Sequence, residues 1–214
     1  MTATHINKVA ASVTIVVSMI FFGACNKTNI AKDVQQYSTV AKPLIESVTT
    51  ETWVDSWAAS FLSTKVNGAV QSTPSFNNQT FRLNVFSKLG GTRVRVKLTN
   101  KFATNTLTIG AVHIALRSTN NSIIATSDRT LKFNGQAGIT LAPGAEIWGD
   151  SVTLTIAQHV TVAISVYIPG SFKPTTFHPT GLHTSYISRT GNYTASTTLP
   201  LTTFSNSTTE VLMV

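Results

Sequence analysis

The sequence predicts an all-β protein, an antiparallel β-sandwich with a jelly-roll-like arrangement of strands. The first observation is the stretch 79–117, in which apolar and polar residues alternate. Successive side chains of a strand point to opposite faces, so this alternation is typical of strands with one buried face. The second observation is composition: charged residues are only 11%, and Thr, Ser, Asn and Val are abundant. That composition favours strands and turns over long helices.

Turn residues divide the chain into short strands, and this spacing indicates a sandwich. Gly90-Gly91 is expected to accept positive φ and to join two antiparallel strands tightly. The tryptophans of TWVDSWAAS (residues 52–60) are expected to pack on the sandwich from an extended segment or a single turn. Further turns are expected at Asn120-Asn121, Asn134-Gly135, Pro143-Gly144 and Pro169-Gly170. Strands are expected at 79–87, 92–99, 106–116, 122–126, 129–133, 138–141, 151–156, 160–168 and 183–188.

Residues 1–24 are predicted to be an export signal. His5 and Lys8 give a weakly basic start, and the apolar run 9–22 is shorter than the roughly 20 residues of a membrane-spanning helix. The run ends in Phe-Gly-Ala before Cys25, which is similar to the bacterial lipoprotein signal, where a cysteine after small residues becomes lipidated. Cys25, the only cysteine, is therefore the expected lipidation site. The alternative is an ordinary secretion signal with an incidental cysteine, and neither permits an internal disulfide.

The rest of the chain divides into three parts. A polar tether is expected at 25–51, the sandwich module at 52–189, and a Thr/Ser/Asn-rich loop or linker outside the core at 190–214. The expected location is the bacterial cell envelope, lipid-anchored at the outer membrane, with a secreted form as the alternative. The net charge of +8 comes mainly from few acidic residues, without any Lys/Arg-rich run. We therefore do not expect a nucleic-acid partner.

Four segments carry a family resemblance. In order, they read TWVDSWAAS, FNNQTFRLNVFSKLGGTRVRVKLTNKFATNTLTIGAVHIALR, LAPGAEIWGDSVTLTI and FHPTGLHTSYIS. Together they resemble the amino-terminal β module of bacterial SGNH/GDSL-type esterases over residues 52–188. In that family the module precedes an α/β/α domain that hydrolyses carboxylic esters with a Ser nucleophile in a GDS-type block and a late D-x-x-H pair.

The resemblance implies an accessory module whose catalytic domain, the expected partner, would lie downstream. None of the four Asp residues has a His three positions later, so the D-x-x-H pair does not occur here. Ser151 lies in a GDSV sequence and is a weak candidate nucleophile. A nucleophile of this kind follows a strand and opens a helix, whereas the residues after Ser151 have strand character. We therefore expect no catalytic residue and no cofactor in this chain.

Basic residues near the Gly-Gly turn are candidate contacts for an acidic ligand or a partner domain. Arg93, Arg95 and Lys97 are expected to project from one strand face, with Arg82 beside them. The alternative is the solvated face of a half-buried sheet.

Aromatic and histidine side chains supply the other candidates. His178 and His183 flank Pro-Thr-Gly and are expected to bond the backbone of a loop; the alternative is that they line a pocket and contact a ligand. No nearby Cys or acidic residue completes a metal site, so no metal is expected. A sugar-stacking platform is one interpretation of five aromatic residues, and burial in the core is the alternative. These residues are Trp148, Tyr167, Phe172, Phe177 and Tyr186.

Three hypotheses follow. The first is an envelope-anchored accessory module of an SGNH/GDSL-type ester hydrolase, inactive alone, and it predicts an exposed apolar patch for the missing domain. The second is a stand-alone carbohydrate-binding envelope lipoprotein. The third is an esterase with unconventional residues, such as Ser151 with a distant His.

Overall fold

The computed structural model describes residues 51–63, 65–66, 69–70, 74–178 and 183–202. In these residues the regular structure is all β, apart from one turn of 3₁₀ helix at Ala125–Ser127, and every strand pairing is antiparallel. The predicted class is confirmed, and the architecture is consistent with a β-sandwich; the jelly-roll arrangement stays a prediction. The strands are β1 (Leu62–Ser63), β2 (Lys65–Val66), β3 (Ala69–Val70), β4 (Phe76–Ser87), β5 (Gly91–Val94), β6 (Lys97–Thr99), β7 (Leu107–Ile109), β8 (Ala111–Leu116), β9 (Arg129–Leu131), β10 (Ile139–Leu141), β11 (Glu146–Trp148), β12 (Val152–Ile156), β13 (Val160–Phe172), β14 (Thr176–Phe177) and β15 (Tyr186–Thr190).

The largest sheet has five strands in the order β15–β4–β13–β8–β9. Its centre is the long pair β4–β13, which runs from Ser87 opposite Val160 to Phe76 opposite Phe172. The run VTVAISVYI in β13 is rich in β-branched residues, as suits a central strand buried on both faces. This pair forms the middle of the sheet, and other segments of the chain pack on both of its faces.

Three two-stranded sheets, β5–β12, β6–β11 and β7–β10, supply the other side of the core. Their apolar side chains join those on one face of the five-stranded sheet in a single buried cluster. Trp57 packs against this cluster, as expected. Two smaller pairs, β1–β14 and β2–β3, complete the sheets of the described residues. The buried residues from the three sheets are Leu98, Leu107, Ile109, Leu141, Leu154 and Ile156, and Val96, between β5 and β6, joins them.

The connection through Gly90-Gly91 is not the hairpin that the sequence predicts. Strand β4 pairs with β13 and β15, whereas β5 pairs with β12, so the two glycines lead from one sheet into another. Neither glycine has a positive φ. Gly90 is required by close approach instead, because a Cβ there would lie 3.0 Å from the carbonyl oxygen of Ile156. The prediction was wrong because Gly-Gly serves a close backbone contact as well as a turn.

The other turn predictions differ in outcome. Asn134 and Gly135 both have positive φ (52° and 80°), and the flanking residues exchange two backbone hydrogen bonds, as in a type I′ hairpin turn. Asn120 and Gly144 also have positive φ. Pro169-Gly170 is not a turn, because it lies inside β13 at a shift of register typical of a bulge.

Several strand predictions also need correction. The expected strand 92–99 is interrupted at residues 95–96, and its two halves, β5 and β6, pair with different strands. The expected strand at 122–126 is replaced by isolated bridges and the 3₁₀ turn. Strand β11 was not predicted; it begins just after the Pro143-Gly144 turn and pairs with β6.

Residues 190–202 pack on the second face of the five-stranded sheet, so the expectation of a linker outside the core is wrong for them. Leu199 is 1% exposed, and Thr194 is also buried. Isolated bridges join Ser188 to Leu201 and Ser122 to Thr198. A Thr/Ser/Asn-rich segment can enter the interior when its backbone finds hydrogen-bond partners.

Residues 1–50 and 203–214 lie outside the described part of the chain, and with them the expected signal peptide, Cys25, nearly all of the tether and the end of the expected linker. Within the described residues, no helix has both the length and the apolar character needed to span a membrane.

Candidate functional site

A stack of aromatic and cationic side chains lies on the surface beside β6 and β11, and we call Trp53, Arg95, Lys97 and Trp148 the tryptophan–arginine stack. The guanidinium carbon of Arg95 lies over both indole rings, 4.4 Å from the centroid of Trp53 and 4.5 Å from that of Trp148. The Lys97 ammonium lies 5.8 Å from the centroid of Trp148. These distances are within the range of cation–π attraction.

Strand pairing positions the stack. Lys97 is directly opposite Trp148 in the β6–β11 pair, and Leu98 is opposite Ile147. Leu98 is fully buried and Ile147 packs against the core, so the alternation of the strands turns Lys97 and Trp148 outward together. Sequence analysis singled out Arg95, Lys97 and Trp148, and the structure brings them together.

An ion pair lies at the edge of the stack. The Lys97 ammonium is 3.1 Å from a carboxylate oxygen of Glu146. A hydrogen bond from Lys97 holds the pKa of Glu146 below its usual value, with a smaller contribution from Thr99. Both side chains are well exposed, so the pair orients Lys97 more than it stabilises the fold.

Two side chains of the stack, Arg95 and Trp148, have groups that no other described residue contacts. Among the described residues, the Arg95 guanidinium has aromatic contacts but no hydrogen-bond or carboxylate partner. Trp148 is 44% exposed despite its contacts with two cations. The free N–H edge of Arg95 and the free surface of Trp148 make this the best-formed candidate for ligand contact.

Arg93 and Ser151 contact each other. Arg93 donates a hydrogen bond to the Ser151 hydroxyl across the β5–β12 pair. Ser151 directly precedes a strand, β12 (Val152–Ile156), as its sequence context predicted. Asp150 accepts backbone hydrogen bonds from Asn134 and Gly135, so its carboxylate serves the type I′ turn.

Arg82 does not lie beside the exposed cations, contrary to the expectation. It is completely buried on the second face of β4. Burial lowers its pKa to about 10, against the opposing effect of the Asp128 carboxylate, so it remains charged at neutral pH. Its guanidinium donates to the Ser165 hydroxyl and to four backbone carbonyls, those of Asn121, Thr194, Ser196 and Thr197. Arg82 therefore holds the segment 190–202 on the sheet.

A polar row crosses all five strands of the sheet through Arg82. Cross-strand pairing places its members side by side, so register and not sequence spacing assembles it. The row reads Tyr186, Arg82, Ser165, His113 and Thr130 from β15 to β9.

One end of this row contains a carboxylate, an imidazole and a hydroxyl, which sequence analysis missed. His113 Nδ1 is 2.8 Å from Asp128 Oδ2, and Thr130 Oγ1 is 3.3 Å from His113 Nε2. The order of groups is that of a nucleophilic triad, with threonine as the hydroxyl. No motif could have revealed it, because His113 and Thr130 meet only through the β8–β9 register.

The other predicted histidines have separate environments. His178 bonds through Nδ1 to the carbonyl oxygen of Ser60 at 2.9 Å. The rings of His183 and His159 each stack with Phe86, at centroid distances of 6.0 and 6.1 Å. Within the described part of the chain, no three His, Cys, Asp or Glu side chains form a group that could hold a metal.

The sugar-stacking platform, one of the two interpretations of these aromatic residues, is not assembled from the side chains that the structure describes. Tyr186 is buried, and Phe172 packs against the core beside Phe81. The Tyr167 hydroxyl donates to the Asn78 side chain, and of these four aromatics Trp148 alone is strongly exposed. The side chain of Phe177 lies outside the described atoms. The second tryptophan of the stack is instead Trp53, a half-buried residue that sequence analysis expected to pack on the sandwich and did not single out for ligand contact.

No protein-family model matches this chain, and no curated protein matches it at a significant level.

Proposed function

We propose that this chain is the accessory β-sandwich module of an SGNH/GDSL-type ester hydrolase lipoprotein, without a catalytic site of its own. The support for the family is the ordered set of four sequence segments. The observation that carries the absence of catalysis is the environment of Ser151, the one serine in a GDS-type sequence. Its hydroxyl bonds to Arg93 at the start of a strand, whereas a nucleophile of this kind opens a helix beside free backbone donors.

The side chains of Asp128, His113 and Thr130 are better explained by a structural role than by a catalytic one. Thr130 lies in the middle of β9, and both of its neighbours are paired with β8, so the backbone makes no exposed elbow. Asp128 also acts on the buried cation Arg82, whose pKa it raises against the effect of burial. A carboxylate that serves as counter-charge to a buried guanidinium has a structural reason to be there.

The exterior of the described residues is compatible with a neighbouring domain, since it is not uniformly polar. Several large apolar side chains are exposed, and Val54, at 62%, is the most exposed of them. Leu62 and Phe102 both adjoin β14, through the pairing of β1 and through the hydrogen bond from Phe102 N to Thr176. The others are Leu89, Ile124 and Trp148.

The test of the family is the gene itself. We expect the reading frame, or an adjacent one, to encode a GDS-type block and a D-x-x-H pair downstream of Val214. A genome without such blocks beside this gene would contradict the proposal.

The lipid anchor is part of the same proposal. Palmitate should label the exported protein at Cys25, and the Cys25→Ala variant should lose the label.

A second candidate function is carbohydrate binding, and the tryptophan–arginine stack favours it. An exposed indole beside unpaired N–H donors offers both an apolar face and polar contacts, the combination found at ligand sites. This function is compatible with the first, because an accessory module can hold the substrate of its enzyme.

A further inference from the structure

We infer that the tryptophan–arginine stack is a binding site for a sugar acid, with Arg95 receiving the carboxylate and Trp148 the face of the ring. This inference names the ligand class of the carbohydrate-binding candidate. It does not depend on the chain belonging to an esterase.

The first support is the state of Arg95. A guanidinium has five N–H donors in a rigid plane, and two of them match the oxygens of a carboxylate. In the stack, the two indole rings hold the flat face of Arg95 by cation–π contact. They leave its N–H groups without a partner among the described residues. The side chain is therefore already ordered in a conformation that receives an anion, which lowers the entropic cost of binding.

The second support is charge. Lys97 lies on the same outward face as Trp148 and is directly opposite it. One of its donors is engaged by Glu146, and an ammonium carries three donors. The three side chains Arg95, Lys97 and Glu146 together carry one net positive charge. A neutral sugar would not compensate this positive charge, whereas the carboxylate of a uronic acid would neutralise it.

The third support is the exposed indole, which distinguishes a sugar acid from a simple anion. Trp148 retains 44% of its surface in solvent although it contacts both cations. A large exposed aromatic surface on a folded domain is typical of a contact site. A pyranose ring with its apolar face on the indole would bring a ring carboxylate toward the cations, so one ligand uses all three side chains.

The test is titration of the protein with a galacturonate oligosaccharide, followed by tryptophan fluorescence and calorimetry. Arg95→Gln should weaken binding about tenfold or more, because a charge-assisted bidentate contact is lost. Arg95→Lys should also weaken it, because the planar fork is lost while the charge remains. Trp148→Ala should weaken it, and Trp148→Phe should restore part of the affinity.

The controls separate the site from general electrostatic attraction. Arg189→Gln removes the same charge from an exposed position elsewhere and should change the affinity less than about twofold. Equal weakening by Arg189→Gln and Arg95→Gln, or equal binding of dextran sulfate, would overturn the inference. If a neutral methyl-esterified galacturonan binds as tightly and Arg95→Gln has no effect, sugar binding stands and the acid-specific inference fails. If neither polymer binds, both the carbohydrate-binding candidate and the inference of a sugar-acid site fail.

Discussion

Arg82 is a fully buried cation in the middle of β4, on the face where alternation predicted a solvent-exposed side chain. Alternation predicted the two faces of β4 correctly, since Phe81 and Leu83 enter the apolar core on the opposite face. Sequence could not show that residues 190–202 return to cover the polar face and supply carbonyl acceptors. A buried arginine is tolerated only with such partners.

We expect Arg82→Met to lower the free energy of unfolding by about 3 kcal/mol, because it leaves buried carbonyl groups without donors. Chemical denaturation followed by circular dichroism measures this change. The control is Arg189→Met at an exposed position, which should change the stability by less than about 0.5 kcal/mol. Similar stabilities for the two variants would show that the interactions of Arg82 contribute little to the fold.

Ser151 and Arg95 show which properties of single residues could be predicted from the sequence and which could not. The strand after Ser151 followed from the sequence VTLTI, so its unsuitability as a nucleophile was predictable. The outward orientation of Lys97 was predictable from alternation in the same way. The contacts of Arg95 with two indoles were not, because Trp53 and Trp148 are distant in sequence.

At the scale of elements, the Gly90-Gly91 connection shows what a local motif leaves undetermined. The dipeptide indicated a change of direction but not the strand that would receive the chain. Packing against distant segments determines which strand β5 pairs with. Strand β5 pairs with β12 and not with β4, and this pairing places Gly90 against the backbone of residues 156–158.

Gly90→Ala should destabilise the protein by roughly 1–3 kcal/mol, because the added Cβ meets backbone atoms that cannot move independently. The matched variant is Gly91→Ala, where the nearest atom to the new Cβ is the carbonyl oxygen of Arg93 at 3.8 Å. We expect less than about 0.5 kcal/mol there. Thermal or urea unfolding of the two variants distinguishes them, and a larger effect at Gly91 would contradict the described geometry.

For the whole molecule, the fold class followed from period-two alternation and turn residues, because both are local properties of the chain. The partners of each strand did not, because register depends on contacts between distant segments. The same limit applies to the sites: the polar row of the five-stranded sheet and the tryptophan–arginine stack each join residues from several strands. The scaffold could therefore be predicted, whereas the side-chain groups on it required the structure.

Hydrolysis of a short-chain acyl ester by the purified protein tests most directly the central claim, that this β scaffold carries no catalytic machinery. We expect a rate no greater than that of buffer, and the same rate for Ser151→Ala and Thr130→Val. Saturable turnover by the wild-type protein that is lost in Thr130→Val or His113→Gln would contradict the claim and assign the chemistry to the Asp128–His113–Thr130 group.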